Sequence, residues 1–80
     1  MRWPRRRTDQ RQRIAQLTEQ REQLAAELDT VETDAAWARA SDEVSEQAEA
    51  ATLTRQAAAL RAELGRVDAR LLRAQLDSLD

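Results

Sequence analysis

Cysteine, histidine, lysine, asparagine, phenylalanine and tyrosine are all missing from this chain. Without cysteine there is no disulfide framework and no thiolate metal site. Without histidine the usual general base and the commonest metal ligand are gone. One glycine cannot build a phosphate-cradling loop. What chemistry is left rests on carboxylates and hydroxyls, so the sequence points away from an enzyme, a cofactor, a metal or a small-molecule substrate.

The only aromatic residues are Trp3 and Trp37, too few to fill an α/β or all-β core. No stretch is apolar for long enough to span a bilayer, and no signal-peptide h-region is seen, so a cytoplasmic protein is expected. The missing residue types are those with AT-rich codons. This points to coding in a high-GC genome, bacterial or phage.

What is present is Ala, Leu, Glu, Arg and Gln, the composition of long helices and coiled coils. From Ile14 to Ala38 the apolar residues step by three and four. Ile14, Arg21, Leu28 and Ala35 take a positions of a heptad, and Leu17, Leu24, Val31 and Ala38 take d positions. So narrow a seam needs a second helix to cover it. The single polar seat, Arg21, is expected to lead its charge out of the seam along its aliphatic stem.

The register fails between Arg39 and Gln47. A new seam, displaced by one position, runs through Ala50, Leu53, Ala57, Leu60, Leu64, Val67, Leu71 and Ala74. Ser41 and Asp42 suit an N-cap, and Glu43 and Glu46 suit a first helical turn, where the dipole favours acids. Folding the chain back there sets a against d. Leu17 then meets Leu71, Leu24 meets Leu64 and Leu28 meets Leu60. A register one heptad away, with Leu17 on Leu64 and Leu24 on Ala57, satisfies the same pattern.

The charges agree with folding back. Residues 14–52 carry ten acidic side chains against Arg21 and Arg39, a net −8, whereas residues 53–80 carry five arginines against four acids. The expected fold is therefore all-α: an antiparallel helical hairpin of coiled-coil type, with helices over 9–40 and 43–78 and a turn at about 40–43. So thin a core is expected to be steadied by dimerisation into a four-helix bundle. The alternative is one long helix in a homo-oligomeric coiled coil, whose seam has a discontinuity near Ser41.

Three local features add to this frame. Residues 1–8 read as a flexible basic arm, with Thr8 or Asp9 capping the helix that follows. Arg2, Trp3, Arg5, Arg6 and Arg7 suit phosphates with a base-stacking aromatic, or an anionic membrane surface. Trp37 is expected to close one end of the core. At the far end Leu71, Leu72, Leu76 and Leu79 exceed what one seam requires, marking a contact for a second copy or another helical protein. The expected function is that of a structural or adaptor protein working by protein–protein contact. The alternative is a nucleic-acid-associated protein gripping phosphates with its arginine arm.

Overall fold

A computed structural model describes the backbone of residues 3–79 and the side chains of residues 9–79. Two helices, α1 (Trp3–Ala40) and α2 (Val44–Asp77), pack against each other as a hairpin. Its long dimension is 65 Å and its cross-section 14 × 13 Å. A single helix of this many residues would reach about 120 Å at 1.5 Å per residue, so the continuous-helix alternative is not the form adopted.

The two predicted seams meet. Leu17, Leu24, Ala35, Ala50, Ala57, Val67 and Ala74 are buried, and every other apolar seam residue is half-buried. Leu17, Leu24, Val67 and Ala74 form one cluster, with Ile14, Leu60, Leu64 and Leu71 packed on it. The bulky part of the core thus lies away from the turn. Nearer the turn the seam is mostly alanine, with Ala35, Ala50 and Ala57 enclosed. No buried side chain there or elsewhere in the described residues carries an unpartnered polar atom.

Contacts across the seam choose between the two registers. Arg21 reaches Asp68, Arg61 reaches Glu32 at 3.1 Å, and Arg39 donates to the Thr54 hydroxyl at 2.7 Å. Helical side chains lean towards their own N-terminus, so an antiparallel pair of long ones joins Cα atoms that are not level. With Leu17 level with Leu71, that lean brings Glu32 and Arg61 together. The heptad-shifted register would leave them about 18 Å apart along the axis. The first register is the one formed.

The turn is Ser41–Glu43, and it needs neither glycine nor a positive φ. The Ser41 hydroxyl accepts from the Glu43 N–H at 3.1 Å, and the Gln47 side-chain amide donates to the Ser41 carbonyl at 3.0 Å. The expected caps, Ser41 and Asp42, are displaced: the N-cap of α2 is Glu43, with extended φ and ψ and no side-chain cap bond. Ser41 instead spends its hydroxyl on a local turn, a competing use of short hydroxyl side chains.

α1 begins at Trp3, where the sequence suggested a start at Asp9. Pro4 is compatible with a first turn because the N–H it lacks has no intrahelical acceptor there, and Arg5–Arg7 are good helix formers. The side chains of Arg2, Trp3, Arg5, Arg6 and Arg7 lie outside the described residues. Trp37 departs from expectation. It is 76% exposed and closes no core, because it sits one residue before the seam position Ala38, on the outward side of α1.

Candidate interaction surface

The side of α2 turned away from α1 carries the exposed apolar side chains at the open end of the hairpin. Leu72, Leu76 and Leu79 are 58%, 55% and 81% exposed. Their spacing of four and three residues puts them on one stripe. Leu71, grouped with them on sequence, faces the other way and is packed against the hairpin core. Adjacent positions on a helix point about 100° apart, and that separates a core leucine from a surface one here.

The stripe is longer than its leucines. Tracing it back by the same alternation gives Ala69, Gly65, Ala62, Ala58, Arg55, Ala51 and Ala48, all exposed. Beyond Leu72 the stripe is faint in the sequence because alanine and glycine contribute little hydrophobic signal. The signal that was available is the unbroken three-four spacing. α1 has no counterpart: the same outward positions on it hold Glu19, Glu22, Asp29 and Thr33 among alanines. Thus α1 has one apolar face and α2 has two.

Charge is divided along the length of the hairpin. Among the described side chains, residues 26–62, around the turn, carry eight acids and three arginines, net −5, whereas residues 9–25 and 63–79 carry six acids and six arginines and balance. At the open end, Arg13, Arg70 and Arg73 line a shallow groove with Gln10, Ala74 and Asp77. This groove lies beside the first turns of α1, which lead back to the arginines at positions 5–7. Interhelical ion pairs sit at the surface: the Arg21–Asp68 side chains are 47% and 45% exposed, and Arg61–Glu32 58% and 45%. Among the described residues no three carboxylates converge to hold a cation, and no helix is long and apolar enough to cross a membrane.

Comparison with protein-family models finds no match, and comparisons with curated proteins and with solved structures find none either. The functional reading therefore rests on the surface just described.

Proposed function

We propose that this chain is a structural or adaptor protein without enzymatic activity, using the outward face of α2 as its contact surface. The observation that carries this is the exposed stripe Leu72, Leu76 and Leu79, aligned on one face and turned away from the hairpin's own core. Three aligned leucines in water cost solvation free energy that a helix-on-helix contact recovers. The recognition mode is that of an amphipathic helix presented to another helix. A photo-crosslinking residue at Gln75, which borders the stripe, tests it in cells. Adducts that disappear with Leu72→Glu plus Leu76→Glu support the reading, and a crosslinking pattern indifferent to that change refutes it.

A second reading has its own observation, the groove of Arg13, Arg70 and Arg73 beside α1, whose sequence before Thr8 carries Arg5, Arg6 and Arg7. Those guanidiniums suit phosphates, making the protein nucleic-acid-associated through the groove at its open end. Fluorescence anisotropy with labelled single-stranded and duplex oligonucleotides tests it. Loss of binding on deleting residues 1–7, with an affinity that falls steeply with salt, favours this reading. No salt-dependent binding by the full chain rejects it.

A further inference from the structure

We propose that the occupant of the outer face of α2 is a second copy of this chain, packed antiparallel through α2 with Ala62 of one copy opposite Gly65 of the other. The proposal rests on the reading of that face as a protein contact, and it names the partner.

Self-complementarity in size is the first argument. In the antiparallel alignment centred between Ala62 and Gly65, Ala58 faces Ala69, Ala51 faces Leu76 and Ala48 faces Leu79. Leu76 and Leu79 of one copy therefore meet alanines of the other, Leu72 lies along the aliphatic stem of Arg55, and the smallest pair lies nearest the two-fold axis. Isologous pairing repeats every such contact twice. A parallel pairing would instead stack Leu72 on Leu72 and leave a gap at Gly65 on Gly65. It would also bring Arg55 against Arg55.

Gly65 supplies the second argument. A Cβ placed there meets nothing within 4 Å in the hairpin, so the folded chain gives no packing reason for a glycine inside a helix. A close approach by another helix gives one: small residues at the crossing let two backbones come to about 8 Å, the short end of helix-packing distances.

Charge is the third. Among the described residues the hairpin is negative around the turn and balanced at the other end, so antiparallel copies keep their two acidic ends apart and parallel copies set them together. Along the shared flank, Arg61 of one copy falls opposite Asp68 of the other. These residues already bind Glu32 and Arg21 within their own hairpins. Pairing joins them into a chain of four alternating charges, and by symmetry a second such chain forms.

The contact is long and narrow. From Ala48 to Leu79 it runs about 46 Å, and over a helix width of about 10 Å it removes on the order of 1,000 Å² counted over both copies. That is the lower edge of specific interfaces, so the dimer is reversible and concentration-dependent. The two apolar faces of α2 lie roughly 150° apart around its axis. The four helices therefore form an open layer in the order α1, α2, α2, α1, with the two α2 helices inside, in place of a closed square bundle.

Light scattering of the full chain over a concentration series is the test. The expected result is a rise from 9.1 kDa to twice that mass, with helicity by circular dichroism unchanged. Gly65→Leu, which the hairpin has room for, should weaken the dimer tenfold or more while leaving helicity intact. Since the chain has no cysteine of its own, orientation is read from single-cysteine variants. A mixture of Ala58→Cys and Ala69→Cys should form the mixed disulfide, while Ala58→Cys alone should not, its two copies lying about 16 Å apart along the axis. A chain that stays monomeric overturns self-pairing but leaves the leucine face free for a different protein. A dimer that survives Leu72→Glu plus Leu76→Glu overturns both the pairing and the reading beneath it. Ready Ala58-to-Ala58 crosslinking overturns the antiparallel orientation.

Discussion

Arg21 holds a seat in the α1 seam level with Val67, yet its guanidinium leaves the seam and binds the carboxylate of Asp68, one residue further along α2. A charged residue at an a position costs stability but marks register, because only one alignment places its counter-ion within reach. The heptad-shifted hairpin would put Leu60 level with Arg21, with Asp68 about a heptad away.

Arg21→Leu should therefore stabilise the hairpin by about 1 kcal/mol. A buried leucine there gains more than a half-exposed ion pair loses. Thermal melts by circular dichroism should move up by several degrees. A double-mutant cycle of Arg21→Ala and Asp68→Ala should give a coupling of less than about 1 kcal/mol that shrinks with added salt.

The core is bulky in one half and alanine-lined in the other, so stability should be uneven along the length. Leu24→Ala removes a buried side chain in the bulky half and should cost about 2–3 kcal/mol, the low end for such truncations because a two-helix core can partly close over the gap. Native-state hydrogen exchange should be slower over 14–28 and 60–74 than over 35–57. Uniform protection along both helices would contradict the division.

Gly65→Ala should stabilise the isolated hairpin by about 0.5–1 kcal/mol. The new methyl meets nothing, and the gain comes from restricting the unfolded chain and from helix propensity. The measurement belongs at low concentration, where association does not contribute to the melt.

Glu43 caps α2 without a side-chain hydrogen bond. Glu43→Ser or Glu43→Asp places a shorter acceptor within reach of the first free N–H groups, and a gain of about 0.5–1 kcal/mol is expected. Denaturant melts with an unchanged m-value would show that the effect is on stability alone.

Trp37→Gln should change stability by no more than about 0.5 kcal/mol, since the ring is largely in water and covers no core. A loss of several times that, by chemical denaturation, would place Trp37 in a contact that a single hairpin does not make.

Much of the architecture could be read from spacing alone. The seams of Ile14–Ala38 and Ala50–Ala74, the displacement between them and the fold-back near Ser41 follow from apolar residues at steps of three and four. The choice between the two registers did not, because a heptad shift preserves every apolar match. Polar contacts such as Arg61 with Glu32 break that tie, and they depend on how long side chains lean. Trp37 departs from the sequence pattern for a related reason: one position of helical rotation moves a ring from the seam to the solvent. The second face of α2 went unread where it is made of alanine and glycine, residues whose hydrophobicity is too small to register beside leucine.

The hairpin also has a polarity of place. Gln10 and Asp77 line the same groove, while Ser41–Glu43 sits at the opposite extreme of a 65 Å rod. The protein is a post with both feet planted together and a single narrow tip. A tag beside Gln10 and another beside Asp77 would report on one neighbourhood, whereas a label at Asp42 would report on a location most of the rod's length away. A partner in the arginine groove would sit at the footing, while the antiparallel pairing would lay the acidic tip of each copy beside the footing of the other.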